Sequence, residues 1–209
     1  MFRLCSFSSR STGIMLTGVL FTFWTGLVFF HSSLSGAKPL ETGSFQKNIL
    51  QAIKSGNQNR IQRYLVLGNS VNSVDRSGMT LLHYAAEVGQ LEMVKFLIKN
   101  GADPAFTNEI GNTPMHVGVL NSHLAVVKYL IAVSPEQVNV SNVASYTPLH
   151  SCAAMNHIKM VQYLVENGAD VNALTKHGNT PYALALKSQF SLVAEFLARA
   201  MGNPLNDYL

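Results

Sequence analysis

The chain has 209 residues, 47% hydrophobic and 12% charged, which excludes extended disorder and provides enough length to bury a core without metals or disulfides. Fifteen Lys and Arg against eleven Asp and Glu leave a formal charge of +4, so nucleic acid and anionic membrane are partners to be tested by where that charge lies. Cys5 and Cys152 are the only cysteines, too few for a disulfide scaffold.

Residues 1–12 carry Arg3 and Arg10 without an acid, and residues 14–30 (IMLTGVLFTFWTGLVFF) carry no charge. These are the n-region and h-region of a signal sequence, with Ser35 and Ala37 placing small side chains before a cleavage point. Seventeen apolar residues also fall just short of the roughly 20 that span a bilayer, so an uncleaved signal anchor is the alternative. Both readings leave the arginines on the cytoplasmic side and export the chain beyond residue 37. Cys5 precedes the apolar run, which argues against a lipoprotein signal. Residues 38–44 (KPLETGS) read as a linker and the domain is expected to begin at Phe45.

Beyond the linker the chain repeats itself. Thr80, Thr113, Thr147 and Thr180 lie 33, 34 and 33 residues apart and open the phrases TLLHYAA, TPMHVGV, TPLHSCA and TPYALAL. Threonine is a favoured N-cap, and Pro114, Pro148 and Pro181 follow at the first helical position, so each phrase predicts a helix start. Apolar residues then recur at helical spacing as Leu91, Val94, Leu97 and Ile98, as Leu124, Val127, Leu130 and Ile131, and as Ile158, Val161, Leu164 and Val165. Gly68, Gly101 and Gly168 supply left-handed caps behind these second helices. Ala85, Gly118, Cys152 and Ala185 mark where the first helix packs closely, which gives Cys152 a structural reason to be small.

These phrases, with the closing NGAD at Asn100 and Asn167, resemble the ankyrin repeat over residues 45–202. The resemblance implies an all-α solenoid of about five repeats: an N-cap repeat (45–74), repeats at 75–107, 108–141 and 142–174, a C-cap repeat (175–202), and a tail (203–209). It implies that His83, His116 and His150 hydrogen-bond backbone and tie adjacent loops, and that His123 and His157 fill the family's Gly-His position. Equivalent residues in a solenoid sit on the order of 10 Å apart, so the histidines form a row and do not converge on one metal ion. In the 108–141 repeat, Ser134-Pro-Glu-Gln137 replaces Gly-Ala-Asp and adds one residue, as a surface loop tolerates.

No nucleophile elbow, Ser-x-x-Lys pair, papain-like cysteine segment or phosphate loop occurs, and Glu92, Glu166, Glu195, Asp103 and Asp170 are scattered. The chain is therefore expected to be no enzyme and to carry no catalytic, cofactor or metal site. Asn139-Val-Ser141 is a glycosylation sequon, meaningful only in a eukaryotic secretory host. The resemblance implies a monomeric module that binds a protein partner through its turn tips and the concave face of its first helices. Arg76, Met79, Tyr84, Glu109, Ile110, Leu120, Tyr146, Met155 and His177 are the candidate partner-binding residues.

Without residues 1–37 the chain keeps 13 basic and 11 acidic residues, net +2, with no basic run, so nucleic acid is disfavoured. Six of eleven Phe and the single Trp also lie in the first 30 residues, so much of the aromatic content belongs to that segment. The expected location is periplasmic or secreted. The alternatives are a scaffold tethered by residues 14–30, and a secreted effector acting on host proteins.

Overall fold

Thr80, Thr113, Thr147 and Thr180 each end an extended stretch and start a helix. Their hydroxyls accept the backbone N–H three residues on, from His83 (3.3 Å), His116 (3.5 Å), His150 (3.4 Å) and Ala183 (3.1 Å), which satisfies one orphan donor of each first turn. Pro114, Pro148 and Pro181 sit where a missing N–H costs nothing.

The computed structural model describes residues 42–202, with side chains from Lys47 onward. Among these it has α1 (Thr42–Lys54), α2 (Gln58–Val66), α3 (Leu81–Val88), α4 (Leu91–Lys99), α5 (Pro114–Leu120), α6 (Leu124–Val133), a 3-10 turn (Pro135–Asn139), α7 (Pro148–Ala154), α8 (Ile158–Glu166), α9 (Pro181–Lys187) and α10 (Ser191–Ala200). The described residues form no strand, only an isolated bridge between Val74 and Thr80. None of their helices is long and apolar enough to cross a membrane. The signal segment expected over 1–37 and the tail over 203–209 lie outside the described residues. Helix α1 starts at Thr42, inside the stretch read as a linker.

Helices pair as α3 with α4, α5 with α6, α7 with α8 and α9 with α10, and the first helices α3, α5, α7 and α9 stack in succession. Ala85, Cys152 and Ala185 are fully buried where they meet, and Gly118 is buried with them. In the second helices Val94, Leu97, Val127, Leu130, Val161 and Leu164 are buried, as the spacing predicts. Leu91, Ile98, Leu124, Ile158 and Val165 are only half-buried. One further position, which the spacing does not predict, is also buried: Met93, Val126, Met160 and Val193. A solenoid helix is covered by both neighbouring repeats, so it buries a wider arc than an amphipathic surface helix.

Close approach dictates the turns between paired helices. A Cβ on Gly89 (φ 76°) would lie 2.3 Å from Nδ1 of His123 in the next repeat, so only glycine fits there. At the equivalent Ser122 (φ 63°) the next histidine, His157, instead bonds the serine hydroxyl through Nε2 at 2.7 Å.

The loops between repeats are clasped by asparagines. Asn72 donates to Gly101 O (3.1 Å) and accepts from Asp103 N (2.9 Å), and Asn139 does the same to Gly168 O (2.9 Å) and Asp170 N (2.8 Å). The sequon asparagine therefore has both side-chain polar atoms engaged by the next repeat. At the junction between these two, Ala105 has no amide to offer, and the loop it would grip is Ser134-Pro-Glu-Gln137. The extra residue extends α6 to ten residues and seeds the 3-10 turn, which buries Gln137 and Val138 instead. The two departures from the repeat thus belong to one junction.

Leu130 is 1% exposed, and Leu130→Ala should destabilise the domain by about 2–5 kcal/mol in urea titration. Val133→Ala, at a position 41% exposed, should change stability by no more than about 0.5 kcal/mol. Equal effects at both positions would overturn the register.

Candidate turn-tip interface

Each tip is built around one side chain that folds the turn back on itself. Asp75 Oδ1 accepts from the N–H groups of Ser77 (2.8 Å) and Met79 (2.9 Å), Asn108 from Ile110 (3.2 Å) and Asn112 (2.9 Å), and Asn142 from Ala144 (2.9 Å) and Tyr146 (3.0 Å). Thr175 uses its hydroxyl to accept from Asn179 N (3.2 Å). Successive tips are then stitched together by backbone: Glu109 N donates to Ser77 O (3.1 Å), Val143 N to Ile110 O (3.1 Å), and Lys176 N to Ala144 O (3.2 Å). A Cβ on Gly111 would lie 2.7 Å from Val143 N, so that stitch also requires glycine.

Beneath the tips lies a row of buried histidines whose tautomer follows from their partners. In the first, Nε2 of His83 lies 2.9 Å from Asn112 O, and since a carbonyl only accepts, Nε2 carries the proton. Nδ1 is then a bare acceptor and takes Thr80 N–H (3.1 Å) and the Thr80 hydroxyl (2.8 Å). His116 repeats the arrangement with Thr113 and Tyr146 O, and His150 with Thr147 and Asn179 O. Each imidazole thus caps its own helix and grips the last tip residue of the next repeat. Burial lowers the pKa of all three, holding His116 at about 4. A proton on Nδ1 would also face the threonine N–H donor. In the final repeat Ala183 replaces the histidine, and no further repeat follows among the described residues.

Six of the nine candidate residues lie at the tips. Arg76, Glu109, Ile110 and His177 are exposed, and Ile110 abuts the exposed Val143 through the backbone stitch. Met79 and Tyr146 are half-buried: Met79 Sδ accepts from Asn108 Nδ2 at 3.4 Å, and the Tyr146 ring tilts against His150 at 5.6 Å. Tyr84 is half-buried on α3 and donates its hydroxyl to Asp75 Oδ2. Burial, with Asp75 beside it, raises the Tyr84 phenol to about 12. Burial pushes the Asp75 carboxyl up, but the Tyr84 hydroxyl and the Met79 and Ser77 N–H groups outweigh it, so the net shift is downward.

Leu120 and Met155 are exposed at the opposite ends of the first helices from the tips. Tyr146 and Met155 bracket α7, whose seven residues span about 10 Å. The mixed apolar patch expected from the sequence is thus spread over two rims. Exposed Val74 and Leu174, each one residue before a tip, escape the sequence pattern; their apolar character stands out only beside Thr107 and Ser141 at the equivalent positions.

Cys152 is fully buried, its thiol donates to Leu149 O, and burial pushes its pKa upward, the reverse of an activated nucleophile. Among the described residues no three His, Cys, Asp or Glu side chains gather as a metal site. His123 donates from Nε2 to Glu87 O (2.9 Å), another bond between successive repeats.

A family model described as ankyrin repeats in three copies matches residues 49–142 and 133–207. The chain belongs to the ankyrin-repeat family. It is 36% identical to the human Notch-regulated ankyrin repeat-containing protein over 90 residues, covering 41% of this chain and 79% of that protein. It is 32% identical to mouse protein phosphatase 1 regulatory subunit 27 over 89 residues, 42% of this chain and 58% of that one. A match of 35% to mouse receptor-interacting serine/threonine-protein kinase 4 covers 53% of this chain but only 15% of the kinase. The family and these relatives support a protein-interaction module.

The histidine row has a pH signature. His116 has an ordinary value of 6.5 unfolded and about 4 folded. Between these values only the unfolded chain takes up the proton, so the stability this neutral imidazole contributes is intact above pH 6.5 and is lost as pH falls towards 4. That loss is on the order of 3 kcal/mol, and His83 and His150 act in the same direction. Melting temperature should therefore be level above pH 7 and fall between pH 6.5 and 4, with a shallower fall in His116→Gln. A melting temperature independent of pH across that window would contradict a neutral clasp.

Proposed function

We propose that the chain is a non-catalytic, exported ankyrin module that holds a protein partner across its turn tips and the adjoining concave face. The observation that carries this reading is the backbone stitching of the four tips. It fixes Arg76, Glu109, Ile110, Val143, Lys176 and His177 in one pre-ordered row while leaving these side chains exposed. A pre-ordered surface loses little conformational entropy on binding. Relatives named for regulation of Notch or as a phosphatase regulatory subunit support interaction as the activity without indicating this chain's partner.

The uncharged run 14–30 behind Arg3 and Arg10 supports export, by cleavage after Ala37 or as an anchored form that holds its partner near the bilayer. The alternative of a secreted effector acting on host proteins would use the same binding surface.

The first test compares partner recovery by the wild type with a variant carrying Arg76→Ala, Glu109→Ala, Ile110→Ser and His177→Ala. None of these side chains takes part in the turn, stitch or clasp bonds, so the melting temperature should hold while recovery falls by roughly tenfold or more. Equal recovery would remove the tips from the interface. The second test maps the N-terminus of the native protein by mass spectrometry. Cleavage predicts a start at Lys38, whereas a peptide retaining Arg10 or Trp24 would exclude cleavage.

A further inference from the structure

The net charge of the domain is not spread over its repeats. From Thr42 to Val74 the chain has Lys47, Lys54, Arg60 and Arg63 and no acid, whereas residues 75–202 carry eight basic and nine acidic residues. All four cations of the first repeat are exposed. Lys47 and Lys54 lie two turns apart on one face of α1, and Arg60 and Arg63 lie one turn apart on α2. Arg60 occupies the position that later repeats bury as Met93, Val126, Met160 and Val193, so it marks the uncovered end of the described repeats.

A terminal repeat must turn a polar face to water, which accounts for a polar residue at position 60. Solubility requires neither a single sign of charge nor the adjacent Val66 and Leu67, which follow Arg63 by one turn and are 75% and 73% exposed. A cationic helix face ending in an exposed apolar step has the chemistry of a bilayer interface, where the cations meet anionic headgroups and the apolar pair enters the acyl boundary. Nucleic acid fits less well. The cations form two separate pairs, Tyr64 beside Arg63 is half-buried and is the one aromatic among the described side chains of this repeat, and a phosphate backbone offers nothing to the apolar step. Only residues 31–41 separate α1 from the uncharged run 14–30, and at full extension they reach no more than about 40 Å.

We propose that the exposed face of α2, Arg60 and Arg63 with Val66 and Leu67, docks on an anionic lipid bilayer, with Lys47 and Lys54 of α1 adding to the positive charge of the repeat. The turn tips, which belong to the later repeats, are left free for a protein partner. The proposal does not depend on the tip interface or on cleavage.

The test is co-sedimentation of the full chain with phosphatidylcholine vesicles and with vesicles that also contain phosphatidylglycerol, at low and high salt. Each Lys or Arg near an anionic surface adds roughly fivefold to partitioning. The variant K47Q/K54Q/R60Q/R63Q should therefore lose at least about tenfold of the preference for anionic vesicles, while the equally neutralised K95Q/K99Q/K159Q/K187Q keeps it. V66S/L67S should weaken the binding that survives high salt. Residues 1–46 are the same in every variant, so their own membrane affinity cancels, and melting curves exclude unfolding as the cause of a loss. An unchanged preference in the first variant would overturn the proposal. So would release of the wild type from the vesicles by a short RNA or DNA duplex whose binding requires the same four residues, which would make the face a nucleic-acid site. Partner recovery measured on the same variants should stay at the wild-type level, which separates failure here from failure of the tip interface.

Discussion

The buried threonine–histidine clasp is the interaction on which the rest of the structure depends. One imidazole in a single tautomer satisfies the threonine hydroxyl, the threonine N–H and a carbonyl one repeat away. A buried polar group left unpaired is costly, so the clasp stabilises the domain only when both repeats are in place. A single repeat has no carbonyl to offer its own Nε2 and no neighbour to cover Met93, Val126 or Met160. Cooperativity along the chain thus has two sources at each junction, one polar and one apolar. It also makes the domain sensitive to acid, because the proton that would charge the imidazole occupies the site where Nδ1 accepts.

The same clasp determines how the tips are presented. By holding Asn112, Tyr146 and Asn179 through their carbonyls, the histidines anchor the bases of the last three tips, and the Asx and hydroxyl turns set the shape of each tip. What remains outward is chemistry the fold does not use: an apolar centre at Ile110 and Val143, Glu109 beside it, and cations at either end in Arg76 and Lys176. The first repeat lacks the Thr-Pro-x-His phrase and is free to vary its open face, and there the chain concentrates its cations.

Much of the fold is legible from spacing alone. Threonine at a period of 33 or 34 marks four helix starts, three of them with proline next, and the apolar count finds the inner line of each second helix. Met93 and its equivalents escape because the spacing reads as one stripe, whereas stacking covers two. The Ser134-Pro-Glu-Gln137 insertion reads as an isolated loop change. Its connection to Ala105 lies in the lack there of the inter-repeat hydrogen bond that Asn72 and Asn139 make to residues some thirty further on, and no local pattern reveals which loop an asparagine will grip. Among the candidate interface residues, Tyr84 reads as an exposed aromatic, but its hydroxyl is committed to Asp75. Met79 and Tyr146 are likewise drawn partly inward by Asn108 and His150.

By itself the sequence determined the repeat unit, its caps and its register, because these follow from short-range chemistry: a hydroxyl three residues from an N–H, a ring that fixes φ, and an apolar face returning every turn. It also determined the charge imbalance between the first repeat and the others. Tertiary structure decided which histidine nitrogen carries the proton, which tip residues stay free for a partner, and which exposed positions share a rim. Those properties depend on what the next repeat places a few ångströms away, and the periodicity that reveals a repeat is silent about the contacts between one copy and the next.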